Sequence, residues 1–227
     1  MEVEVMDRTL TQHPQEHLVS VTAGKVNLEG NSMIPNGAMG VVLFAHGSGS
    51  SRHSPRNRYV AGVLQQAGLA TLLIDLLTAE EEEIDLRTRH LRFDIGLLAS
   101  RLVGATNWLQ QNPDTCNLKV GYFGASTGAG AALVAAAECP EAVQAIVSRG
   151  GRPDSAGSAL SHVKAPTLLI VGGYDTPVIA MNEDALAQLH SVKRLEIIPR
   201  ATHLFEEPGK LAAVAQLASE WFTHYLR

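Results

Sequence analysis

Gly124-Ala125-Ser126-Thr127-Gly128 places one serine between two glycines. An apolar run ending at Phe123 precedes it, and the small helix formers Ala129 to Ala132 follow it. The G-x-S-x-G spacing marks a nucleophile elbow, in which a sharp strand-to-helix turn lifts the serine Oγ clear of the backbone. Glycines flank it because side chains there would collide with the neighbouring strand and helix. A serine hydroxyl is a poor nucleophile at neutral pH, so it needs a base and a group that orients the base. Asp175 and His203 follow Ser126 in the order that this elbow requires. His203 would take the Ser126 proton and return it to the leaving group, while Asp175 would fix the imidazole tautomer. The backbone N–H groups of Ser48 and Thr127 are the candidate donors to a developing oxyanion.

The elements that must position these residues alternate along the chain. His17 to Thr22 and Lys25 to Glu29 alternate about Ala23-Gly24 and read as a hairpin. Residues 31–40 read as loop, and 1–15 as a polar, loosely held start. Residues 40–45 and 69–75 are continuous apolar runs of the kind buried on both sheet faces. Between them Ser54-Pro55 opens a helix that ends at Ala67-Gly68. An acidic connection over 76–85, with Glu80 to Glu83 in succession, reads as solvated or as a helix start. A long helix over about 88–111 leads to the strand 117–123, the elbow, and a helix over 127–138. Further strands are expected at 142–148, 166–171 and 194–198, with helices at 182–190 and 209–225. Such alternation implies an α/β fold, a mostly parallel doubly wound sheet with helices on both faces. In such sheets functional groups gather beyond the carboxyl ends of the strands. His46-Gly47-Ser48, Ser126, Asp175 and His203 all fall at strand ends.

A net charge of −5 over 227 residues gives no nucleic-acid surface. No apolar run approaches the roughly 18 residues needed to span a bilayer, and the acidic start lacks a signal-peptide core. The expectation is therefore one cytoplasmic domain over 1–227, a monomer or homodimer, with no membrane partner. Cys116 and Cys139 lack C-x-x-C spacing and read as buried free thiols. The histidines show no metal-ligand spacing, so no metal is expected. His46 reads as a structural hydrogen-bonder behind its loop.

The stretches His46 to Ser51, Gly124 to Gly128, Gly172-Gly173-Tyr174-Asp175 and Ala201 to Phe205 together resemble the α/β-hydrolases, within them the dienelactone-hydrolase-like branch. The resemblance runs from about Val41 to the end. It implies an eight-stranded-type sheet, cofactor-free ester hydrolysis and an acyl-enzyme intermediate. Ser126 stands where dienelactone hydrolases have cysteine, which favours a carboxylesterase over a lactonase. Caps in this fold usually follow the strand that ends here at Ser148. Only residues 149–162 are available, so the cap should be small or absent and the substrate a small or short-acyl ester.

Thioesterase, lactonase and amidase activities use the same machinery and stay open. A non-catalytic ligand-binding protein on the same fold is the reading from another class. A phosphate loop at Gly47-Ser48-Gly49 is disfavoured because no Walker lysine follows. Arg52, Arg56, Arg149 and Arg152 lie near the expected mouth. Arg52 and Arg149 in particular are candidates for meeting a substrate carboxylate.

Overall fold

The computed structural model describes residues 15–227, so the reading of 1–15 as loosely held lies almost wholly outside the described residues. Eight strands form one sheet in the order β1-β2-β4-β3-β5-β6-β7-β8. The antiparallel hairpin of β1 (His17–Ala23) and β2 (Val26–Met33) turns at Gly24, whose φ of +66° suits glycine. The strand β2 also pairs antiparallel with β4 (Ala70–Ile74). All other pairings are parallel, through β3 (Gly40–Ala45), β5 (Lys119–Ala125), β6 (Val143–Arg149), β7 (Thr167–Gly172) and β8 (Lys193–Ile198).

Two hydrophobic layers sandwich the sheet. On one face α1 (Pro55–Gln66) and α6 (Lys210–Tyr225) bury Val60, Leu64, Val214 and Phe222 against Phe44, Phe123, Val147 and Ile170. On the other, α3 (Ile95–Gln111) and α4 (Thr127–Glu138) bury Leu98, Leu102 and Leu133 against Leu43, Leu72 and Ile146. The helix α5 (Thr176–Gln188) packs on that side, beside a 3₁₀ segment, Pro153–His162. That segment lies on α4 and α5, and no separate cap forms from it.

Four local expectations are corrected, and one left open, the acidic run, is decided. Residues 31–33 are strand, because Asn31, Ser32 and Met33 find partners in Leu73, Leu72 and Thr71 of β4. The long helix is broken: α2 (Ala79–Thr88) stops where Arg89 turns left-handed, a 3₁₀ turn follows over Leu91–Phe93, and Asp94 caps α3. The buried carboxylate of Asp85 makes that corner, accepting the N–H groups of Leu91 at 2.7 Å and Arg92 at 3.2 Å and pairing with the Arg92 guanidinium. The acidic run is a helix start, closed by a capping box between Thr78 and Glu81. Helix α5 begins six residues earlier than the spacing suggested, with Pro177 in its first turn, where the missing N–H costs nothing. Cys116 is exposed, in the turn whose Asn112 carbonyl takes its N–H, whereas Cys139 is half-buried at the end of α4.

Candidate active site

The strand β5 delivers Ser126 into a conformation that L-residues avoid, φ 50° and ψ −121°. Such backbone strain costs about 1–3 kcal/mol and persists only where the surroundings enforce it. Here they do. A methyl group at Gly124 would overlap the backbone of Ala129, and one at Gly128 would overlap the carbonyl oxygens of Ala45 and His46. The N–H of Ser126 donates to the Arg149 carbonyl at 3.2 Å, and the Ser126 carbonyl accepts from Ala129 and Arg152. The chain is therefore locked on both sides of the serine. Thr127 begins α4, so its N–H has no intrahelical acceptor.

The adjacent strand β3 ends in the loop His46 to Ser50, held by polar contacts. Leu76 donates its N–H to His46 Nε2 at 3.1 Å, which leaves the proton on Nδ1, 2.9 Å from the Gly47 carbonyl. Withdrawal of this ring from water lowers its pKa, against the opposing pull of the Gly47 carbonyl, Asp75 and Glu82. His46 is thus a neutral structural ligand of its own loop. Gly47 passes close over the elbow, where an added methyl would stand 3.1 Å from Ser126 Cβ. The N–H of Ser48 donates to no protein group among the described residues.

The carboxyl ends of β7 and β8 bring Asp175 and His203 together. His203 Nδ1 lies 2.6 Å from Asp175 Oδ2. Asp175 occupies the N-cap position of α5, yet its side chain makes no capping bond. Its carboxylate is turned to the imidazole instead. The two loops are stitched by backbone bonds from Gly173 to the Ile198 carbonyl (2.8 Å) and from Tyr174 to that of Ala201 (2.9 Å). Phe205, fully buried, anchors the far side of the His203 loop, and Glu207 Oε1 accepts the Thr202 N–H at 3.0 Å. Gly150 joins the two halves of the site. It follows Arg149, which pairs with Ala125, and a methyl on it would lie 3.4 Å from His203 Nδ1 and Cε1. Ser126 and His203 therefore flank the same turn of backbone, although no hydrogen bond joins them.

The four arginines separate sharply. Arg52 is engaged by the scaffold: its guanidinium pairs with Asp75, with Glu29 at 2.5 Å and with Asn31 at 3.1 Å. The expectation that Arg52 meets a substrate carboxylate is corrected accordingly. Arg152 grips Asp154 through two bonds of 2.9 and 2.8 Å, and Arg56 reaches Glu206 at 3.0 Å. Arg149 is buried and has no ion-pair partner among the described residues. The Asp85–Arg92 pair escaped the sequence reading. Its only signal was an aspartate just beyond a glutamate run that drew attention to solvated charge. Among the described residues no group of three or more His, Cys, Asp or Glu could hold a metal ion, and no helix is long and apolar enough to cross a membrane.

Comparison with known proteins places this geometry in a family. The model of the dienelactone hydrolase family matches residues 29–226. A crystal structure of a dienelactone hydrolase from Anabaena variabilis is 83% identical, with a TM-score of 0.93 over 94% of this chain and 99% of that one. Est1E from Butyrivibrio proteoclasticus, 14% identical, shares the fold with a TM-score of 0.75 over 91% of this chain and 98% of its own. Two sequences from Mycobacterium tuberculosis strains, both named putative phosphoribosyl transferase, are 60% identical over 208 residues. That alignment takes in 92% of this chain and 46% of theirs, so the chain spans about half the length of these curated relatives. Matched over nearly all its described length by one family model, the chain belongs to the dienelactone hydrolase family.

Proposed function

We propose that the protein is a serine hydrolase that cleaves small or short-acyl carboxylic esters through an acyl-enzyme on Ser126. The observation that carries this reading is the Asp175–His203 bond of 2.6 Å, made by a carboxylate that forgoes the capping role its position offers. Beside it, the strained Ser126 at the start of α4 is what an exposed nucleophile requires.

In this mechanism Ser126 Oγ attacks the ester carbonyl carbon as His203 Nε2 takes its proton. Asp175 holds Nδ1–H and stabilises the imidazolium. The tetrahedral oxyanion accepts hydrogen bonds from the free N–H groups of Thr127 and Ser48, each worth about 3–4 kcal/mol in such sites. The C–O bond breaks, and the leaving alcohol receives the proton from His203. Water then repeats the sequence and releases the acid. The absent Ser126–His203 bond fits this scheme, because catalytic hydrogen bonds in substrate-free sites are often long and tighten on binding.

Thioesters and lactones present the same carbonyl chemistry and are the nearest alternatives. The transferase name of the mycobacterial relatives belongs to proteins more than twice the length of the aligned segment, and nothing in the elbow or the Asp175–His203 pair calls for phosphoribosyl transfer. Labelling with a fluorophosphonate probe tests the reading, together with turnover of p-nitrophenyl esters of increasing chain length. Wild type should label and favour short chains. Ser126→Ala should not label, and its kcat should fall by about 10⁴-fold or more. A folded wild type that does not label would point instead to a non-catalytic ligand-binding protein.

A further inference from the structure

We propose that the outer edge of β8 is a self-association surface, on which a second copy of this chain pairs its own β8 antiparallel about a two-fold axis at Leu195. This goes beyond the esterase reading and does not depend on it.

Strand β8 closes one side of the sheet, with β7 as its one neighbour there. The Thr167 N–H donates to the Val192 carbonyl and the Gly173 N–H to that of Ile198, both at 2.8 Å. Alternation along the strand therefore turns the backbone groups of Arg194 and Glu196 toward β7 as well. The N–H and C=O groups of Lys193, Leu195 and Ile197 face outward, and no protein group among the described residues meets them. Neither a proline nor a bulge interrupts Lys193–Ile198. Such an edge is a template for another strand.

Charged side chains usually protect an edge from pairing. Here their order selects a partner instead. Arg194 and Glu196 share the face of Leu168 and Ile170, the face covered by α6. Two antiparallel copies can exchange hydrogen bonds only among Lys193, Leu195 and Ile197, whose backbone groups are free. An axis at Lys193, Arg194 or Glu196 would set that charge opposite its own copy, which is destabilising. An axis at Ile197 would leave the first half of the strand unpaired. The axis at Leu195 joins Lys193 to Ile197 of the second copy and sets Arg194 opposite Glu196 twice over. These are non-hydrogen-bonded positions, where opposed side chains come closest. Within one chain Arg194 Nε donates to Glu196 Oε1 at 2.5 Å, which leaves both terminal guanidinium nitrogens for the carboxylate across the axis. Beside Arg194, the residues Leu217, Trp221 and Tyr225 recur at every fourth position of α6 and line a groove of about 270 Å³. A two-fold axis perpendicular to the sheet keeps both α6 helices on one face, so each apolar stripe borders the paired charges. The other edge strand, β1, has no Asp, Glu, Lys or Arg with which to choose a register.

The test is sedimentation velocity across micromolar concentrations for wild type, Arg194→Glu, Glu196→Arg and the double variant carrying both changes. Wild type should sediment as a particle of twice the chain's 24.2 kDa, and less of it should do so in high salt. Each single reversal sets like charges opposite each other on both sides of the axis and should raise the dissociation constant about tenfold or more. The double variant restores opposite charges and should regain the dimer. So should an equimolar mixture of the two single variants, because each supplies the charge that the other lacks. That recovery also shows that both are folded. A wild type that stays monomeric throughout overturns the proposal. So does a dimer indifferent to both reversals, or a loss that neither the double variant nor the mixture repairs.

Hydrogen exchange locates the surface. In dimeric wild type the amides of Lys193, Leu195 and Ile197 should exchange about tenfold or more slowly than in Arg194→Glu. Those of Arg194 and Glu196, bonded to β7 in either state, should change little. Equal exchange at Leu195 in the two proteins would put any dimer contact elsewhere and overturn the proposal. Neither readout involves Ser126, so failure of the esterase reading leaves a dimer result standing. Fluorophosphonate labelling of a strictly monomeric wild type would do the reverse.

Discussion

The loop after β3 and the last position of β6 each present an arginine on the carboxyl side of the sheet, and the protein treats the two in opposite ways. Arg52 is enclosed by opposite charge and amide oxygen: Asp75 meets both its backbone N–H and its fork, Glu29 meets another fork nitrogen, and Asn31 meets Nε. Arg149 is at least as deeply buried, and the one charge shifting its pKa is that of Arg56. Both lie on the carboxyl side of one sheet, Arg149 closing β6 and Arg52 in the loop beyond β3, so side of the sheet alone does not separate them. Compensation does. A charge whose partners all come from the scaffold ties that scaffold together, and a charge with no partner among the described residues does not. On the β3 side of the site, Arg52, His46 and the Asp85–Arg92 corner make the polar contacts that hold the loop carrying Ser48.

The largest effect expected from breaking this contrast falls on the Asp85–Arg92 corner. Asp85 is fully buried, and a methyl on Gly49 of the Ser48 loop would stand 3.6 Å from Arg92 Nη1. Burial alone would raise the Asp85 pKa, but the Arg92 guanidinium and the N–H groups of Arg92 and Leu91 outweigh it and hold the carboxyl below its usual range. Arg92→Met leaves that carboxylate without its cation and should cost about 3–5 kcal/mol in urea unfolding. The double variant Asp85→Asn/Arg92→Met should recover a large part of the loss, as a double-mutant cycle would reveal. A single substitution costing under about 0.5 kcal/mol, the range of ordinary surface changes, would mean that the corner is not held by charge.

A smaller effect is expected at Arg52, and it bears on the comparison most directly. Arg52→Met leaves Asp75 with only the backbone N–H of residue 52, so about 1.5–3 kcal/mol should be lost. The same change at Arg149 should cost nothing. Equal losses at the two positions, measured side by side in urea, would show that both arginines are scaffold.

The elbow was legible in the sequence because its constraints are local. Gly124, Gly128 and the small residues of α4 state the sterics outright, and the buried strands state their own lengths. The meeting of Asp175 with His203 was legible because both fall just past neighbouring strand ends, where few polar side chains can reach each other. The break at Arg89 was not legible. Thr88 to Gln111 has helical periodicity throughout, and what stops the helix is a tertiary event, the burial of Asp85 and its capture of two downstream N–H groups. The fates of the arginines were hidden for the same reason. Arg52 and Arg149 are alike in type and both fall on the carboxyl side of the sheet, and only the packing of β2 against β4 brings Asn31 and Glu29 to one of them.

The smallest expected effect concerns His46, which belongs to the compensated half without carrying charge. Its ring must be neutral, because Nε2 accepts the Leu76 N–H while Nδ1–H faces the Gly47 carbonyl. Its folded pKa lies below the ordinary 6.5, and burial is the main cause. The unfolded chain therefore takes up the proton first as pH falls. Its contribution to stability is complete above about pH 6.5 and is lost as pH drops toward the folded value. The slope from this one group cannot exceed about 1.4 kcal/mol per pH unit. His46→Gln keeps an acceptor for Leu76 and removes the titration. The difference between wild type and this variant, followed by urea unfolding from roughly pH 7.5 down to 5, should narrow or reverse as acid favours the variant. A difference constant across that range would mean that His46 does not titrate between the two states.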